Sequence, residues 1–145
     1  MKNKNYFLAS IVGGITFFLL GWLIYGVVLM DFMSSNSGLS AEVFAQFNRT
    51  EAEFIWWALI LANVASGFLL ATILSWGQMT SAAGGAKAGA IVGFLIAISF
   101  DLLFYSMTNI FTTSSLFVDI IASTVMTTIG SAVIGWLLGR GTTKV

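Results

Sequence analysis

The chain contains no cysteine, no histidine and no proline. Without cysteine there is no disulfide, no thiolate nucleophile and no sulfur metal site. Without histidine the commonest general base and metal ligand are missing. Without proline, any sharp helix bend must come from glycine, from Ser/Thr or from a π-bulge. Charge is scarce as well. Only 8% of the 145 residues are charged, against ~25% in an ordinary soluble domain. Six basic and six acidic residues cancel, so no electrostatic footprint for nucleic acid exists. No metal-ligand cluster, phosphate-cradling loop or cofactor motif is present. The polar groups left do not assemble a base, a nucleophile and an oxyanion partner, so the chain does not read as an enzyme.

What is abundant is apolar sequence, at 58% of residues. It falls into four runs, about 6–30, 54–76, 88–107 and 117–139. Roughly 20 apolar residues at 1.5 Å rise cover a ~30 Å hydrocarbon core. Backbone groups in lipid must pair internally, so the runs are expected to be helices. A secretory h-region spans ~7–15 residues, and Tyr6–Met30 runs well beyond that, as a membrane anchor does. The expected fold is all-α: one domain over 1–145, with four transmembrane helices in an antiparallel bundle.

Orientation follows from the basic residues. Lys2 and Lys4 precede the first run, Lys87 lies at the turn between the second and third, and Arg140 and Lys144 follow the fourth. Arg49 alone falls on the other side, among Asp31, Glu42, Glu51 and Glu53. The positive-inside rule then places both termini in the cytoplasm. Trp56, Trp57, Trp76, Trp136 and Tyr6 sit near run ends, where aromatic rings favour the interface.

The connections are small. Residues 31–53 form the long outer loop, in which Ser40 is placed to cap a short interfacial helix through Phe47; a loop packed by its phenylalanines is the competing reading. Thr50-Glu51-Ala52-Glu53 fits a capping box opening the second span. Gly84-Gly85 reads as the end of the inner linker.

Each run carries a stripe of small or polar residues at four-residue spacing. The third has Gly85, Gly89, Gly93, Ala97, Asp101, Tyr105 and Asn109, and the fourth has Asp119, Ser123, Thr127, Ser131, Gly135 and Gly139. The second has Asn63, Gly67, Ala71 and Ser75, and the first Gly13, Phe17, Gly21 and Tyr25. Helices in lipid associate through such close-approach seams, so Gly67, Gly89, Gly93, Gly135 and Gly139 are expected to be packing positions. Ile11-Val12-Gly13 recurs as Ile91-Val92-Gly93, with Tyr25 matching Tyr105 at the same spacing, a weak internal repeat.

Asp101 is the anomaly. A carboxyl at the centre of a spanning helix costs ~2.5 kcal/mol or more. Counted from Lys87 it lies ~21 Å along the axis, at the level of Asn63, Tyr25 and Thr127, with Tyr105 one turn further out. A buried polar cluster of Asp101, Asn63, Tyr105, Tyr25 and Thr127 is expected, opening toward Asp119 and Asp31. Two functions follow from it. Asp101 exchanges a proton or cation during transport of a small solute, in a homo-oligomer. Alternatively it pins helix packing in a non-enzymatic scaffold, accessory subunit or lipid-interacting protein with a membrane protein partner.

The stretch Gly21-Trp22-Leu23-Ile24-Tyr25-Gly26, followed by three more apolar runs, resembles small four-span bacterial inner-membrane proteins of uncharacterised function. That resemblance implies a bacterial plasma membrane. It supplies no activity, cofactor or site residue.

Overall fold

A computed structural model describes residues 2–140. Lys144, one of the basic residues used for orientation, lies outside them. The described residues are helical apart from short connections. Helix α1 covers Lys2–Gly21 and runs directly into a π-helical segment, Trp22–Val28. Two short helices follow, α2 (Met30–Ser35) and α3 (Ala41–Phe47). The long helices α4 (Trp56–Trp76), α5 (Ala82–Met107) and α6 (Thr113–Leu138) complete the chain. Four helices are long and apolar enough to cross a membrane.

Local chemistry explains where these helices begin. Ser81 caps α5 by accepting from the Gly84 amide at 3.0 Å. Thr112 caps α6 in a reciprocal box with Ser115. Ser40 caps α3 as expected. Three boundaries differ from the sequence reading. Gly84 and Gly85 do not end a linker; they form the first turn of α5, because Ser81 starts the helix before them. Lys87 therefore sits on an exposed face of α5 and not in the turn. The Thr50–Glu53 box closes a single 3-10 turn, Glu51–Glu53, because Phe54 is extended and α4 starts only at Trp56.

The helices do not pack as a square. The closest pairing is α5 with α6, followed by α1 with α4 and α1 with α6. Helices α4 and α5 scarcely touch, although the turn joining them is short. Within that turn Gln78 adopts φ 55°, a left-handed conformation unfavourable for a side-chain-bearing residue. Helix α6 is the hub because it offers small residues on two faces. Gly130 lies under the Phe17 ring of α1, and Ile134 of α6 fills the notch at Gly13. On its other face Ser131 and Gly135 lie against Gly85 of α5.

The stripe on α5 is its buried face: Gly85, Gly89, Gly93, Ala97 and Asp101 are its buried residues. On α4 Gly67 and Ala71 are buried, with Leu70 and Leu74. Gly67 and Gly14 meet backbone to backbone, which only glycine permits at that spacing. Gly139, at the end of α6, lies against the Thr80 carbonyl of the α4–α5 turn. The main apolar core, Ala9, Phe17, Leu70, Ala71, Leu74, Ile134 and Leu137, fills the end where α1 starts and α6 ends. There Asn5 donates to the Arg140 carbonyl, tying the start of α1 to the end of α6. A smaller core, Ala97, Leu116 and Ile120, lies at the opposite end. That end is closed by the long loop. Ser37 bridges to Phe111, and Thr112 Oγ1 donates to the Asn36 carbonyl at 2.7 Å.

Candidate functional site

The seam between α5 and α6 sets the site by its register. Gly89 packs against Ser131 and Thr127, and Gly93 against Thr127. The helices are antiparallel, so four residues forward on α5 meet four residues back on α6. From Gly93–Thr127 this progression reaches Ala97–Ser123 and then Asp101–Asp119. Asp101 lies six residues before the end of α5 at Met107, and Asp119 six residues after the start of α6 at Thr113. The two carboxyl groups are accordingly neighbours and interact side chain to side chain.

Tyr25 joins them from the third side. Its hydroxyl is 2.8 Å from Ser123 Oγ, and it also interacts with Asp119 and Asp101. It stands on the π-helical segment, whose wider winding is marked by the Leu29 amide donating to the Ile24 carbonyl, five residues back, at 2.7 Å. Single π segments inside α-helices recur at functional sites. Tyr25 continues the stripe of Gly13, Phe17 and Gly21, which meets α6 at Ile134, Gly130 and Met126.

Asp101 is 8% exposed. Its Oδ2 is buried and has no hydrogen-bond partner. An orphaned polar atom of this kind costs ~1–3 kcal/mol, more when it is charged. Ser131 Oγ shares the condition, but that hydroxyl is wedged against Gly89 in the helix seam, and close packing accounts for it. Asp101 has no such account. It lines a cavity of about 310 Å³ that occupies the gap left between α4 and α5. Asn63, Ser66 and Leu69 form the α4 wall, and Ile96 and Phe100 the α5 wall. Phe17, Met126 and Thr127 make the floor.

The residues expected to cluster are only partly brought together. Asp101 and Tyr25 meet. Asn63 and Thr127 line the same cavity but spend their hydrogen bonds on their own helices: Asn63 Nδ2 donates to the Leu59 carbonyl at 2.8 Å, and Thr127 Oγ1 to the Ser123 carbonyl at 2.8 Å. Tyr105 stands apart. It is 41% exposed and pairs with Thr113 Oγ1 at 3.0 Å. One turn beyond Asp101, α5 is already reaching its junction with α6, and the stripe no longer faces the interior. Asp31 is exposed. Asp119 and Ser123 complete the cluster in place of Tyr105. Sequence reasoning put Asp119 at the rim, although matching the two stripes in antiparallel register would have paired it with Asp101.

The basic residues lie elsewhere. The Arg140 guanidinium stacks 4.9 Å over the Trp136 ring. Arg49 lies near Glu53 in the long loop. Lys87 is 14 residues before Asp101, ~21 Å along α5. Among the described residues no group of three or more Asp, Glu, His or Cys side chains is arranged to hold a metal ion. No family model, no curated protein and no solved structure matches this chain.

Proposed function

We propose that this is an integral membrane protein, with both termini in the cytoplasm of a bacterial cell, that carries a small solute in exchange for, or together with, a proton or cation bound at Asp101. The membrane reading is supported by where the apolar surface lies. In each of the four long helices only 22–28% of the most apolar stretch is buried inside the molecule. The rest faces outward, far beyond the few hundred Å² patch tolerated by a water-soluble monomer. Lipid covers such a surface at no cost. Orientation is supported by Lys4, Lys87 and Arg140, which lie toward the end of the bundle where α1 starts and α6 ends.

One observation carries the transport reading: Asp101, a buried acid with one carboxyl oxygen lacking a partner, lines the open cavity between α4 and α5. An acid that served only to pin two helices would have its oxygens satisfied by them. Facing Asp101 are Asp119 and Ser123 from α6, Tyr25 from the π segment, and Asn63 and Ser66 across the gap on α4. None of these is basic. Ionisable groups inside spanning segments mark ion and substrate pathways.

Purified protein in dye-loaded vesicles under an imposed pH gradient tests this against a panel of small amines, amino acids and sugars. At least one solute should drive proton or cation movement above that of protein-free vesicles, and Asp101→Asn should abolish it while leaving the fold intact. Equal movement in wild type and D101N across the panel would refute the reading and leave Asp101 as a packing residue in a scaffold.

A further inference from the structure

The cavity beside Asp101 has a polarity that selects among solutes. At one end lies the carboxyl of Asp101, a residue 8% exposed whose Oδ2 is unpartnered, with Asp119 beside it but outside the lining. Away from that end the walls are mostly carbon, from Phe17, Phe100, Ile96, Leu69 and Met126, with Asn63, Ser66 and Thr127 the polar exceptions. A hard divalent cation takes six or more oxygens, and the single carboxyl among these lining side chains does not supply them. A neutral solute would leave Asp101 without a counter-charge. An ammonium group attached to an apolar body satisfies both ends. Its charge meets the acid, and aromatic faces add cation–π attraction. The volume of about 310 Å³ falls at the small end of the ~300–1,000 Å³ range of small-molecule sites. The gap is bordered by outward apolar side chains, Leu69, Ile96 and Phe100 at 51%, 42% and 58% exposure. A ligand dissolved in lipid therefore has a direct lateral approach between α4 and α5.

We propose that the α4–α5 gap is a receptor for a lipophilic organic cation, its charged head held by Asp101 and its apolar body against Phe17, Phe100 and Met126. This rests on the transport reading and names its solute class.

The test uses the full chain in detergent micelles, with benzyltrimethylammonium as the probe and neopentylbenzene, its uncharged carbon analogue, as the control. Binding is read by equilibrium dialysis against empty micelles. Wild type should bind the cation at least tenfold more tightly than the hydrocarbon. Asp101→Asn should weaken cation binding about tenfold or more, as expected for removing one partner of a desolvated charge pair, with the hydrocarbon unchanged. Phe100→Leu lies on an exposed wall and leaves the acids untouched; it should weaken the cation about two- to fivefold, the scale of an exposed cation–π contact. Equal binding of the two probes, or undiminished cation binding by D101N, would overturn the proposal. If neither probe binds while D101N still abolishes solute-driven flux in vesicles, the solute class is wrong and the transport reading stands. If neither probe binds and D101N leaves flux unchanged, both fall.

Discussion

Gly89→Ala is the sharpest probe of how this fold is held together. A Cβ built on Gly89 would lie against Ser131 Cβ, 2.5 Å from Ser131 Oγ and 2.7 Å from the Thr127 carbonyl oxygen. Ordinary contact begins near 3.4 Å. Ser131 is fully buried and has no room to rotate away, and the carbonyl belongs to the α6 backbone. Relief therefore requires the two helices to separate by ~0.7 Å along that contact, on the 2.7 and 3.4 Å figures above. Overpacking of this kind costs about 1–3 kcal/mol. Alanine returns up to ~1 kcal/mol of helix propensity. Because the clash is with backbone, the penalty falls at its upper end, and the net loss is about 1–2 kcal/mol. Gly21→Ala is the control. Its nearest neighbour would be Met126 Sδ at 3.9 Å, so the propensity gain is unopposed and stability should rise by ~0.5–1 kcal/mol. Reversible unfolding in mixed micelles measures both. If Gly89→Ala proves as stable as wild type, the α5–α6 seam is not the close backbone contact described here, and the register that pairs Asp101 with Asp119 loses its support.

Other perturbations read other parts of the molecule. Gln78→Gly should stabilise by ~0.5–1 kcal/mol in the same unfolding assay, since glycine accepts φ 55° without the left-handed penalty; a loss would mean that the Gln side chain contributes more than its backbone costs. Tyr25→Phe removes the 2.8 Å bond to Ser123 and should cost ~0.6 kcal/mol, the average for such bonds between membrane helices; no change would place the Tyr25 hydroxyl outside the cluster. Glu53 accepts from the Thr50 amide at 3.0 Å and its hydroxyl at 2.9 Å, which holds its carboxyl below the usual range. The charged form is the one bonded. The Thr50–Glu53 turn is therefore fully held above the ordinary glutamate range and released as pH falls through the lowered value. An NMR titration of the Thr50 amide should show its midpoint below that of free glutamate, and a midpoint at or above that of the free side chain would contradict the bond.

Much of the architecture is legible in the order of the residues alone. Run length and scarcity of charge are enough to mark four helices, because a helix satisfies its own backbone groups and needs no neighbour to exist in an apolar medium. The buried face of α5 is legible for a related reason. Gly85, Gly89, Gly93, Ala97 and Asp101 form an unbroken stripe of small or polar residues along that helix, and close approach between helices in lipid selects small residues. The cap at Ser40 depends on a bond within three residues, which is about as far as local sequence reaches.

The tertiary structure decided what depended on pairing. Which stripes face each other, α5 with α6 and α4 with α1, rests on backbone fit between glycines far apart in sequence, such as Gly85 with Gly135 and Gly67 with Gly14. That choice opened the gap between α4 and α5 and so created the cavity. It also replaced Tyr105 with Asp119 as the partner of Asp101, because antiparallel register and helix ends set depth, while distance along a single helix sets only height on that helix.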